Sequence, residues 1–262
     1  MNNNEMAIKK SKFQFFSLTI IVLTFLIILN SSFITATNSC TSNKIAILGD
    51  SITNSYDKGG WGFEFKNKCN NLPINYGSSG KWTEWMLKTL KSDIVGKGHS
   101  HLIITGGTND IWNQVNGKGY TPTETITSNL AEIYRLAKQD NIYVVAGTIP
   151  PFTNQGGSQK NNQVKEINQW IKSQLGTNVD QIVDFYGFLV GEEPCIKTEY
   201  ARNCNDVHPN EIGYQAMADK VINEVFGGQA GNKLATQSAY ATTSASLSEL
   251  TTMMILGRHI RS

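Results

Sequence analysis

The chain is predicted to be an α/β protein, a three-layer α/β/α sandwich on a five-stranded parallel sheet. Two observations lead there. Short aliphatic runs alternate with longer amphipathic stretches between residues 44 and 227. Several of the short runs are apolar at successive positions, as strands are when both faces of a parallel sheet are covered. Strand–helix alternation then implies right-handed crossovers that place helices on both faces.

The strands are expected at residues 44–48, 73–76, 101–105, 142–148 and 182–185. Thr121-Pro122-Thr123-Glu124 has the form of a capping box with proline at the first helical position, and Ile126, Leu130, Ile133 and Ala137 share a face behind it. A second helix aligns Val164, Ile167, Ile171 and Leu175, with Gly176 as its stop. Asn210 is placed to cap a last helix in which Tyr214, Met217, Val221 and Val225 line up and Gly227 ends the run.

The termini differ in character. Lys9, Lys10 and Lys12 precede an Ile/Leu/Phe-rich run from 15 to 29, and small polar residues follow. This order predicts a signal peptide over 1–39 cut between 36 and 39, with an uncleaved membrane anchor as the alternative. Thr37-Asn38-Ser39-Cys40 lacks the apolar residue usual three before a lipoprotein cysteine. A domain over 40–227 is expected next, then a flexible Ala/Ser/Thr-rich tail over 228–262 that is too cationic at its end for a lipid-anchor signal. The formal charge of +2 resides in the leader, so the remaining body is neutral. Neither nucleic acid nor an anionic membrane surface is an expected partner of such a body, and a monomer is expected. Four cysteines in an exported chain favour disulfides, with Cys195–Cys204 and Cys40–Cys69 preferred among three possible pairings.

Four loops carry candidate chemistry. Gly49-Asp50-Ser51-Ile52-Thr53 follows the first strand, where a serine presents its hydroxyl at the mouth of a sheet near helix N-terminal amides. Asn75-Tyr76-Gly77-Ser78-Ser79-Gly80 follows the second strand and brings backbone N–H groups close to a ligand. Gly106-Gly107-Thr108-Asn109-Asp110 follows the third, and the neutral amide of Asn109 donates to an oxyanion without titrating. Asp206-Val207-His208-Pro209-Asn210 precedes the last helix, with Pro209 restricting the backbone that carries the imidazole. Singly, each reads as an ordinary turn or helix cap. In a flavodoxin-like strand order, 2-1-3-4-5, the loops of Ser51, Gly80 and Asn109 converge at the switch point, and residues 187–205 give His208 an arm to reach them.

Together these segments resemble blocks I, II, III and V of the GDSL/SGNH hydrolases, and the resemblance spans about Lys44 to Phe226. It implies that Ser51 attacks an ester carbonyl, that the N–H groups of Ser51 and Gly80 and the side chain of Asn109 form the oxyanion hole, and that His208 is the base. Residues 148–151 resemble a family loop lining the cleft. The family's orienting aspartate lies three residues before the histidine, where this chain has Asn205. Asp206, two before, is the expected partner, with Asn205 or a backbone carbonyl as alternatives.

The expected function is therefore a secreted serine hydrolase of carboxylic esters, with a small-molecule, lipid or sugar ester as substrate and no cofactor. An acyltransferase with the same residues and a non-catalytic carbohydrate- or lipid-binding module on the same fold are the alternatives. No Gly-x-Ser-x-Gly elbow, phosphate loop or dinucleotide fingerprint is present. His99 and His101 have no accompanying carboxylate-rich motif and read as polarity at a strand edge.

Overall fold

Strands β1 (Ile45–Gly49), β2 (Ile74–Asn75), β3 (His101–Thr105), β4 (Tyr143–Gly147) and β5 (Gln181–Val183) form one parallel sheet in the order β2-β1-β3-β4-β5. This is the predicted topology. The computed structural model describes residues 39–42, 44–54, 59–112, 121–152 and 157–227. The expected leader, apart from Ser39, and the expected tail lie outside the described residues.

The pleat sorts the aliphatic runs between two cores. Ala46, Leu48, Leu102, Ile104, Val144 and Ala146 face one side. There they meet α2 (Thr83–Thr89, continued by a wider turn over Leu90–Ile94), α4 (Thr123–Gln139) and α5 (Gly157–Ser173). Ile45, Ile47, Ile103, Val145 and Val183 face the other side, against α1 (Trp61–Lys68) and α7 (Glu211–Phe226). Two short helices complete the order: α3 (Thr108–Trp112) after β3 and α6 (Phe185–Leu189) after β5.

Several local expectations hold. Ile126, Leu130, Ile133 and Ala137 are buried, and Asn210 caps α7 by accepting from the Gly213 N–H at 2.8 Å. Gly227 ends α7 in the left-handed region, at φ 64°. Both preferred disulfides form, with Cα–Cα separations of 5.4 Å for Cys40–Cys69 and 5.0 Å for Cys195–Cys204.

Others are corrected. No capping box forms at 121–124: α4 starts at Thr123 with Pro122 in the cap position, and proline has no side-chain acceptor to offer. The Thr123 hydroxyl, in the first helical position, donates to Glu166 of α5 at 3.3 Å. Leu175 leaves the predicted apolar stripe, because α5 ends at Ser173, and it is 54% exposed. Phe185 begins α6 rather than ending a strand; Asp184 caps that turn by accepting from the Gly187 N–H at 3.1 Å.

Candidate active site

The turn after β1 is shaped by what can fit beneath it. A Cβ on Gly49 would stand 2.0 Å from Thr53 Oγ1 and 2.5 Å from the Thr105 carbonyl oxygen, so only glycine leaves the strand here. The Asp50 carbonyl then accepts from the Thr53 and Asn54 N–H groups at 3.2 and 2.9 Å. Its carboxyl Oδ1 accepts from the Ile52 N–H at 3.0 Å. This wrapped turn sets Ser51, partly exposed, at the C-terminal edge of the sheet.

The opposite side of the site is built by the chain between α6 and α7. The Cys195–Cys204 bridge and short antiparallel bridges at Val190–Ile196 and Ala201–Pro209 hold this arm. Asn210 fastens it to the start of α7: its N–H donates to the Tyr200 carbonyl at 2.7 Å, and Nδ2 to those of Glu199 and Ala201. His208 is thereby carried over the sheet, and its Nε2 lies 2.8 Å from Ser51 Oγ across 157 residues of sequence.

The other ring nitrogen, Nδ1, lies 2.8 Å from Asp206 Oδ1. That same oxygen accepts from the His208 backbone N–H at 2.9 Å. An Asx turn, in which a carboxylate reaches the amide two residues on, therefore brings Asp206 under the imidazole. The two-residue spacing has a geometric cause. Asn205 lines the same cavity and its backbone N–H donates to Asn203 Oδ1, while the hydrogen bonds to His208 come from Asp206. Burial pushes the Asp206 carboxyl up, but the His208 amide and ring and the Arg202 guanidinium outweigh it and hold it below the ordinary aspartate value. An ionised carboxylate only accepts, so Nδ1 carries the proton and Nε2 faces Ser51 with its lone pair.

Asn109 opens α3, the helix after β3. Its Nδ2 donates to the Lys81 carbonyl at 3.1 Å, which uses one of two amide hydrogens and leaves the other. Lys81 follows Gly80, which stands at φ +72° where a side chain would be strained. The Gly80 loop is tied to the Ser51 loop: Asn54 Nδ2 donates to the Gly77 carbonyl at 2.8 Å and Ser79 Oγ to the Asn54 carbonyl at 2.9 Å. The neighbouring Asp110 is buried and caps α2, accepting from the Thr83 N–H and hydroxyl at 3.0 and 2.6 Å.

A cavity of about 260 Å³ opens over the relay, lined by Ser51, Thr108, Asn109, Trp112 and residues 205–208. It brings together Ser51, Asn109, Asp206 and His208. Gly80 lines a separate cavity of about 220 Å³ with Lys81, Trp82 and Trp85. Two residues that no motif marks also bear on the site: Arg202, whose Nη1 stands 3.4 Å from Asp206 Oδ2, and Trp112, which walls the cleft. Nothing in the spacing marks Arg202; Trp112 lay three residues beyond Asn109. Among the described residues no group of three or more His, Cys, Asp or Glu is placed to hold a metal ion.

A serine, imidazole and carboxylate in line at the switch point of a parallel sheet define a hydrolase-like class of site. Residues 47–216 match the model of the GDSL-like lipase/acylhydrolase family, and the chain belongs to that family. It is in that general sense an ester-acting hydrolase. A solved GDSL-like lipase from Bacteroides thetaiotaomicron superposes with a TM-score of 0.58 at 20% identity, over 70% of this chain and 88% of that one. A lipolytic protein of the G-D-S-L family from Veillonella parvula gives 0.56 at 25% identity, over 69% and 96%. An acetyl xylan esterase, AlAXEase, gives 0.54 at 19% identity, over 68% and 97%. No curated protein matches the chain.

Proposed function

We propose that this protein is an exported serine esterase that cleaves acyl or acetyl esters through an acyl-enzyme. The observation that carries the reading is the unbroken relay from Ser51 Oγ to His208 Nε2, 2.8 Å, and from His208 Nδ1 to Asp206, 2.8 Å. Ser51 Oγ attacks the ester carbonyl carbon while its proton passes to Nε2. Negative charge gathers on the former carbonyl oxygen, where the Ser51 and Gly80 N–H groups and the remaining Asn109 amide hydrogen donate. The imidazolium, supported by Asp206, returns its proton to the departing alkoxide and frees the alcohol. Water, deprotonated by His208, then releases the acid and restores Ser51.

Two disulfides favour an oxidising compartment, which agrees with the basic and apolar leader. No helix among the described residues is long and apolar enough to cross a membrane. The test is a series of p-nitrophenyl esters of increasing chain length, with wild type and Ser51→Ala side by side. Ser51→Ala should lose at least about a thousandfold in rate with its fold intact, together with fluorophosphonate labelling. Labelling that persists on another serine would sink the assignment.

A further inference from the structure

We propose that Asp50 is a positioning residue for Ser51 and does this work as the neutral carboxylic acid. The proposal rests on Ser51 being the nucleophile. Asp50 is 1% exposed and shapes the nucleophile's turn from both ends, through its carbonyl to Thr53 and Asn54 and through Oδ1 to Ile52. Among the described residues nothing meets its second oxygen, Oδ2, at hydrogen-bonding geometry, although that atom is fully buried. A carboxylate ion in such a place would have the Ile52 N–H and the Thr108 hydroxyl as donors and no cation, which does not offset the loss of water around a buried charge.

The groups that face Asp50 supply no cation. From α3 the buried Asp110 carboxyl acts on it, and from α7 the Tyr214 hydroxyl, itself pushed up by burial; the Thr108 hydroxyl is near enough to favour the charge. His208 is committed to Ser51 and Asp206. Burial raises the Asp50 carboxyl to about 7, with the Ile52 amide holding it back and Asp110 adding to the rise. The sign for catalysis follows. The acid is neutral below that value. Ionisation above it sets a negative charge on the residue before Ser51, on whose N–H the proposed oxyanion rests, and like charge opposes it. A neutral acid retained beside a developing anion is an established strategy of other enzymes.

Fluorophosphonate labelling of a separate wild-type sample first checks Ser51 as the nucleophile, and turnover of a p-nitrophenyl ester by unlabelled enzyme is then followed from pH 5 to pH 9. Wild-type kcat should fall as pH rises through about 7. Asp50→Asn keeps an acceptor for Ile52 and cannot ionise, so it should stay within about tenfold of wild type at pH 6 and lose the alkaline fall. Asp50→Ala should lower kcat more than about tenfold at every pH with KM nearly unchanged. A wild-type alkaline limb retained in Asp50→Asn, or a folded Asp50→Asn that is inactive throughout, overturns the proposal. If Asp50→Asn does not fold, Asp110→Asn decides, because losing that neighbour should move the wild-type limb to lower pH and an unmoved limb overturns it. A wild type that resists labelling at Ser51 refutes the esterase reading instead. In that case the infrared band of a buried protonated carboxyl at neutral pH, weakened in Asp50→Asn, still reads the acid form; its absence overturns the proposal.

Discussion

At the scale of the residue, the hydrogen bonds of Asp206 set its importance apart from that of Asn205. One Asp206 oxygen accepts from both the amide and the ring of His208, so orientation and charge support come from a single atom. Asp206→Ala should cut kcat by about 10³-fold or more, and Asn205→Ala should have a small effect; steady-state kinetics with one ester ranks the two. Asn109 makes a different kind of contribution. In the proposed mechanism its second amide hydrogen acts on the transition state, so Asn109→Ala should lower kcat roughly 10²–10³-fold with KM little changed. A loss confined to KM would return Asn109 to the standing of a turn residue. Four site residues were nameable from their motifs because each motif is local. Arg202 was not, because its partner is set by the fold of the arm.

At the scale of the element, the arm between α6 and α7 decides whether the relay exists. Asn210 both caps α7 and fastens the arm through the carbonyls of Glu199 and Ala201. Asn210→Ala should therefore cost at least about 1 kcal/mol of stability in urea unfolding, the usual value of a lost cap. It should lower kcat as well, since His208 sits two residues away. Replacing Cys195 and Cys204 together by serine should remove about 2–3 kcal/mol, as closure of a short loop implies. Helix faces were legible at this scale from their 3.6-residue period. Their ends were less so: Leu175 and Pro122 were misassigned because end positions depend on which neighbour accepts a hydroxyl or amide.

At the scale of the whole molecule, buried acids tie stability to pH. Asp50 and Asp110 are raised by burial to about 7 and about 6 from an ordinary 3.8. A carboxyl raised in the folded state stabilises fully below its unfolded value and loses that contribution as pH rises through the folded one. Asp206 and Asp184 are depressed and act oppositely: their contribution is present above the unfolded value and lost as pH falls through the folded one. His99 and His101, lowered by burial from an ordinary 6.5, oppose this as pH falls. The larger rises of the two acids should leave Tm higher near pH 5 than near pH 8, and Asp50→Asn should flatten the difference. Differential scanning fluorimetry at the two pH values measures both, and equal Tm values in wild type would count against neutral buried acids.

What the sequence by itself determined was whatever is encoded in neighbouring residues. Aliphatic runs named the strands, period named the buried helix faces, and four short motifs named Ser51, Gly80, Asn109 and His208. Tertiary structure decided what depends on distant parts of the chain meeting. It brought His208 to Ser51, chose Asp206 over Asn205 through an Asx turn, and placed Gly80 in a separate cavity. It also buried Asp50 and Asp110 within electrostatic reach of each other. The reason is physical: a pattern in sequence reports local conformational and burial preference, whereas a hydrogen bond across 157 residues follows from how sheet, arm and last helix pack.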